Sequence, residues 1–251
     1  LQILDYRAQN IQQSTSTNKI GITSEYACYF GISSSIPNLV AGDSHTAMDI
    51  NHSSLLFIGQ HALPQWFFFF RLPQRYIGES NIPHFSKSEA DAQIRKHANF
   101  HISENVKIGQ LMSNTKVLGC FPLEEANHDI WTYGLIVCLG DAIHKMTPNL
   151  GQGGNQATES AAVLTNCLWE MLDAVEGKKV ERGELEKTLM RYQDLRQKRA
   201  KKFVDLSGML TRNDALATLS HTLTFLYFEP LSGEMLAGEF SSRLLGFWQK
   251  L

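Results

Sequence analysis

Cysteine is scarce and scattered. Cys28, Cys120, Cys138 and Cys167 stand far apart in 251 residues, with no C-x-x-C pair. That spacing supports no disulfide framework and points to a reducing compartment. Excess charge of one sign is also missing: 23 Lys and Arg stand against 25 Asp and Glu, for a formal charge of −2. Without a basic footprint there is nothing to neutralise a phosphate backbone, so a nucleic-acid partner is not expected. No stretch reaches the ~18 consecutive apolar residues of a membrane-crossing helix. The opening LQILDYRAQN lacks initiator Met and the basic and apolar regions of a signal peptide. A cytoplasmic protein is expected, with any membrane anchor left to a longer parent chain. Asn51-His52-Ser53 spells a glycosylation acceptor, but with no secretory leader it is read as chance. There is no internal repeat, no low-complexity tract and no G-x-S-x-G nucleophile elbow. His97 and His101 have the i, i+4 spacing of helix-borne metal ligands, yet no third ligand accompanies them. They read as a solvated helix face, and no metal site is expected.

What is present is a folding composition, with 43% hydrophobic and 19% charged residues. A chain of this length forms one large domain or two small ones. Residues 1–22 are polar and aperiodic and read as a loop or tail. Residues 23–71 read as β: Tyr26, Cys28 and Phe30 alternate with Glu25, Ala27 and Tyr29. The separators NHSS and QHALPQ suit short antiparallel connections. The run Trp66-Phe67-Phe68-Phe69-Phe70 cannot be a one-sided strand, so both faces are covered or one lines a greasy cavity. Residues 72–115 mix Pro73, Gly78 and Pro83 with weakly periodic polar helix. Two short strands are predicted at 116–122 and 134–140, the second an apolar run fit for burial on both faces. A helix is predicted from Gly154 to Glu176, with Ala157, Ala161, Leu164, Leu168 and Leu172 on one face. A longer one is predicted from Glu184 to Leu210, on a stripe of Leu185, Leu189, Tyr192, Leu195, Phe203 and Leu206. The basic residues at 191–202 read as its solvated face. Glu159 is explained by the positive end of its helix. The tail, 212–251, reads as helix broken at Pro230.

One segment rises above this background: Gly140-Asp141-Ala142-Ile143-His144-Lys145-Met146-Thr147-Pro148-Asn149-Leu150-Gly151-Gln152-Gly153-Gly154-Asn155. A buried strand is expected to deliver Asp141 at its carboxyl end, where open sheets bind ligands. Its carboxylate is an acceptor for sugar-alcohol hydroxyls. Pro148 gives a rigid turn. Gly151, Gly153 and Gly154 let backbone approach a flat or anionic ligand with no Cβ in the way. The helix that follows then aims its free N–H groups at that ligand. His144 reads as a turn-fixing residue before a general base.

The pattern G-D-x-x-H-x-x-x-P-x-x-G-x-G-x-N resembles the second FAD-binding motif of the class A flavoprotein monooxygenases. HKMTPNLGQGGNQATESAAVLTNCL and SEYACYFGIS (24–33) are similar to the fungal FAD-dependent members of secondary-metabolite biosynthesis, which include epoxidases of prenylated terpenoids. The resemblance covers about 23–210. It implies FAD as cofactor, NAD(P)H as reductant, and transfer of one oxygen atom from O2 to an apolar small molecule, by epoxidation or hydroxylation. Gly140 and Asp141 would hold the ribityl chain, Pro148 would lie near the ring, and Gly151, Gly153, Gly154 and Asn155 would face its pyrimidine edge. Tyr26 would be a catalytic residue in the substrate pocket.

The departures are as informative. The family opens with strand, G-x-G-x-x-G and helix for the ADP half of FAD, and has a middle Asp-Gly motif. Neither is found here. The chain is therefore expected to be the C-terminal part of a longer enzyme. The fold class is α/β with α+β character. The expected units are a loop or tail (1–22), an antiparallel substrate-domain sheet (23–115), the C-terminal part of the FAD-binding domain (116–176) and a helical region (177–251). Two other readings stay open: a flavin oxidoreductase that is not a monooxygenase, and a non-catalytic remnant acting through a partner chain.

Overall fold

The computed structural model describes residues 21–227. The expected leading tail over 1–20 and the helix broken at Pro230 lie outside the described residues. Strands β1 (Thr23–Ser33), β2 (Ser44–Asp49), β3 (His52–Ile58), β4 (Pro64–Ile77), β5 (Thr115–Asn127) and β8 (His144–Lys145) form one sheet in the order β2-β3-β4-β1-β5-β8. Every neighbouring pair is antiparallel. Strands β6 (Thr132–Tyr133) and β7 (Ile136–Val137) make a separate two-stranded hairpin. The helices are α1 (Lys87–Arg95), α2 (Ile108–Ser113), α3 (Gly153–Ala174), α4 (Arg182–Asp214) and α5 (Leu219–Tyr227). Among the described residues no helix is long and apolar enough to cross a membrane.

The aromatic run behaves as a strand covered on both faces. Trp66, Phe68 and Phe70 point into a core with Ala27, Tyr29 and Leu56, closed by Ala90, Ile94, Ile108 and Leu111 of α1 and α2. Phe69 points the other way, to Tyr26, Cys28, Leu123 and Ala215. Gly31 lies opposite Trp66 in the β1–β4 register. A Cβ there would fall inside the Trp66 indole, whose Nε1 donates to Ser33 Oγ at 3.0 Å. Helix α1 starts on a capping box in which Ser86 and Glu89 satisfy each other's backbone N–H.

Four expectations are corrected. The strand at 116–122 is longer, and it pairs with β1, so the sheet runs through residues 115–127. Residues 134–140 are not a strand buried on both faces. Only Ile136 and Val137 pair, and Leu135, Ile136 and Leu139 are 54%, 40% and 38% exposed. The reason is local: beyond β6, no described strand lies alongside to cover them. Asp141 consequently stands on a tight 3-10 turn, Gly140–Ala142, rather than at the end of a buried strand. His97 and His101 do not share a helix face, because α1 ends at Arg95. His97 packs instead on the His52 and Phe68 rings, at 4.7 and 4.9 Å between centroids.

Candidate functional site

The glycine-rich turn forms one end of α3. Pro148 opens a 3-10 turn over Pro148–Leu150, and Gly151 ends it in the left-handed region at φ 64°. That conformation disfavours a side chain and explains the glycine. Helix α3 then starts at Gly153 with no side-chain cap and no acidic residue in its first turn. Its leading N–H groups have no intrahelical acceptor, and the helix dipole makes this end positive. A Cβ placed on Gly151, Gly153 or Gly154 would meet nothing within 4 Å. The three glycines therefore face open space rather than neighbouring protein.

The turn bearing Asp141 is set against the same helix end. Gly140 is buried at φ 62°, and a Cβ there would stand 3.3 Å from the Ala157 Cβ. The missing side chain lets the Asp141 turn lie on α3. Asp141, Pro148, Gly151, Gly154 and Asn155 are exposed, and Gly153 is half-buried. Asn155 Nδ2 donates to Gln152 Oε1 at 3.2 Å. An exposed carboxylate, a proline turn and a row of uncapped amides thus surround one open corner. That set matches the riboflavin half of FAD: acceptor for ribityl hydroxyls, donors for a carbonyl-bearing ring edge. No phosphate-cradling glycine loop accompanies it among the described residues.

Helix α4 holds this corner from behind. The Thr211 hydroxyl lies 2.7 Å from Thr147 Oγ1 and 2.9 Å from Asn149 Oδ1, and Asn149 Nδ2 donates to Asp214 Oδ2 at 2.9 Å. The residues on both sides of Pro148 are thereby pinned. The next residue, Arg212, turns to the sheet. It bonds Glu25 Oε2 at 3.0 Å and Glu125 Oε1 at 2.9 Å, from β1 and β5. Close approach is possible because Gly208 has no Cβ; one would collide with the Glu125 carboxylate.

Tyr26 is not part of the corner. It lies on the sheet face away from α1 and α2, 1% exposed, with Cys28, Phe69 and Leu123. Its hydroxyl has no hydrogen-bond partner among the described residues. Burial raises its pKa, with Glu25 adding to the effect. Half-buried Leu55 and Phe67 extend the same apolar face.

Two further readings are corrected here. The basic stretch of α4 is not all solvated: Arg196 is 2% exposed. Glu159 sits beyond the first helical turn and is bound by Arg196 Nη1 at 2.8 Å and Arg199 Nε at 2.7 Å. The helix dipole is not its main partner. The missed signal was spacing. Arg196 occupies a position of the apolar stripe, four residues after Tyr192 and seven before Phe203, where an arginine faces inward. His144 is fully buried, with Nε2 2.9 Å from Ser160 Oγ. Desolvation chiefly lowers its pKa.

The FAD binding domain family matches residues 72–207. The FAD-dependent monooxygenase BOA8 of Botryotinia fuckeliana is 34% identical over 225 residues, covering 90% of this chain and 29% of that protein. The FAD-dependent monooxygenase spyC of Aspergillus fumigatus is 36% identical over 214 residues, covering 85% of this chain and 45% of that one. The chain thus spans less than half the length of these relatives. Among solved structures, Klebsiella pneumoniae HpxO complexed with FAD and uric acid superposes with TM-score 0.63 at 17% identity, covering 90% of this chain and 54% of that one. A salicylate hydroxylase substrate complex gives 0.63 at 16%, covering 95% and 56%. These likenesses show the shared fold.

Proposed function

The chain belongs to the FAD binding domain family, and from that premise we propose that it is the riboflavin-facing and substrate-facing part of an FAD-dependent monooxygenase of fungal secondary metabolism. The observation that carries the reading is the uncapped start of α3 beside Asp141, with three glycines open to solvent. When bound, FAD would supply the redox chemistry, taking electrons from NAD(P)H and passing one oxygen atom of O2 to an apolar substrate while the other leaves as water. This chain's own residues do the rest. The Asp141 carboxylate would accept hydrogen bonds from the ribityl hydroxyls. The N–H groups of Gly153, Gly154 and Asn155 would donate to the pyrimidine edge, and Pro148 and Gly151 would fix the turn that presents them. Donors held in place there would favour negative charge on the flavin without reorganising. Tyr26, whose buried hydroxyl has no described partner, orients the substrate on the apolar face of the sheet, where Phe67 and Phe69 exclude water.

In this division of labour strands β1 to β4 serve the substrate side and the Asp141 turn with the start of α3 serves the flavin side, while β5 and β8 join the two by extending the sheet. The exposed apolar run Leu135, Ile136 and Leu139 supports a further element of the reading. It is the edge on which a mononucleotide-binding unit carrying the ADP site would pair. Contacts confined to the riboflavin half of FAD are expected to bind it more weakly, by several kcal/mol or on the order of 10³-fold, than contacts that also cradle the pyrophosphate. Fluorescence titration of the 251-residue chain tests the reading. FAD, FMN and riboflavin are expected to bind alike, ADP not to compete, and Asp141→Ala to weaken all three by about tenfold, the loss of a charge-assisted hydrogen bond. Competition by ADP, or a chain indifferent to all three flavins, would overturn it.

A further inference from the structure

Behind the open corner lies a buried ionic network that the flavin contacts do not use. All three guanidinium nitrogens of Arg196 are spent on α3. Nη1 donates to Glu159 Oε2 at 2.8 Å, Nη2 to Gln156 Oε1 at 2.9 Å and to the Gln156 carbonyl at 3.2 Å, and Nε to Ser160 Oγ at 3.3 Å. Ser160 Oγ also meets His144 Nε2. Trp131 backs the imidazole at 5.6 Å between ring centroids. Arg199 grips the same Glu159 through Nε and Nη2, at 2.7 and 2.8 Å.

The network ties together two pieces of chain that are otherwise separate. Gln156, Glu159 and Ser160 belong to the first two turns of α3, directly behind the uncapped amides. His144 is three residues past Asp141. A buried ion pair is a weak way to gain stability, since apolar residues of similar volume often serve as well or better. What it adds is direction: a planar fork with fixed donors sets the roll and height of the helix it holds. Here the held element is the one whose amide directions matter.

We propose that Arg196, acting through Gln156, Glu159, Ser160 and His144, is a positioning residue that aligns the first turn of α3 with the Asp141 turn so that both address one flavin. This rests on the flavin reading above. It assigns the alignment to α4, a helix whose Arg196 stands far from the ligand in sequence.

The test separates alignment from stability. The full chain is titrated with FMN while the backbone amide signals of Gly151, Gly153 and Gly154 are followed by NMR, and urea unfolding is measured in parallel. The double variant Glu159→Met/Arg196→Met replaces the pair by apolar side chains of similar length. Its unfolding midpoint is expected to stay near that of the unmodified chain, with FMN bound roughly tenfold more weakly, as when supporting residues around a bound group are removed. Ser160→Ala cuts the His144 link without changing the helix. It is expected to weaken FMN binding severalfold with a lowered but measurable unfolding midpoint, because His144 Nε2 and Arg196 Nε lose a buried partner, and it decides the matter if the double variant fails to fold. Unchanged FMN affinity in the folded variants would overturn the positioning role alone. Absence of saturable amide shifts in the unmodified chain would overturn the flavin reading and this inference with it.

Discussion

His144 shows how one buried ring makes the fold sensitive to pH. Burial lowers its pKa below the ordinary 6.5 and Arg196 on α4 pushes the same way, while a hydrogen bond with the backbone, Asp141 and Glu159 only partly oppose them. The unfolded chain therefore binds a proton at this site more readily than the folded one. The contribution of His144 to folding stability is complete above pH 6.5 and declines as pH falls below it. His97, lowered by burial and by its neighbours His52 and Lys96, contributes in the same window and direction. Urea midpoints are expected to drop between pH 7.5 and pH 5.5, and His144→Gln, which keeps a hydrogen-bonding group near Ser160, is expected to shrink that drop. An equal drop in the variant would remove His144 from the account. Gly31 is a second single-residue determinant. Gly31→Val would force the Trp66 indole out of its site over β1. A loss of about 1–3 kcal/mol is expected by denaturant unfolding, the cost of overpacking a filled core.

At the scale of elements, α4 is the rail on which the molecule is assembled. Its 33 residues extend about 50 Å at 1.5 Å per residue. Along that length it holds the α3 network through Arg196, the Pro148 turn through Thr211 and Asp214, and two strands through Arg212. Thr211 and Arg212 are adjacent, so the Pro148 turn and the sheet are referred to one point on one helix. Arg212→Met leaves Glu125 without that partner, while Glu25 keeps Arg71 at 2.9 Å. Because Arg212 is 24% exposed, a loss of about 1–3 kcal/mol is expected rather than the full penalty of breaking a buried pair. Gly208→Ala, which drives a methyl into the Glu125 carboxylate, is expected to mimic it. The extents of α3 and α4 were legible in the sequence to within a few residues, because both are long, but their apolar stripes were only partly so: Leu172 and Leu195 are 52% and 55% exposed, while Gln156, Glu159 and Ser160 are buried. The inward-facing Arg196 was not, since a basic stretch gives no sign of which of its members meets a carboxylate on another helix.

At the scale of the whole molecule, surface exposure distinguishes the two sides. Leu135 and Leu139 are exposed, whereas Ile143, a few residues on, is fully buried in the cluster of Trp131, Cys167 and Tyr192. Leu135→Gln and Leu139→Gln are expected to change the stability of this chain by less than about 0.5 kcal/mol, as surface substitutions do. Ile143→Gln is expected to cost several times more by burying an unpaired amide. A marked loss from the first two would show that the run is covered after all. The sequence alone determined the family signature, the antiparallel strands of the aromatic-rich region and the glycine turn that opens a helix. Each is written in local spacing: period-2 alternation, uninterrupted aromatics, Gly and Pro at fixed offsets. Only the tertiary structure decided which charges are buried, that β5 completes the first sheet, and that the 134–140 run lies largely uncovered. Those outcomes depend on which distant segment arrives alongside, and an apolar run reads the same whether its neighbour strand is present or not.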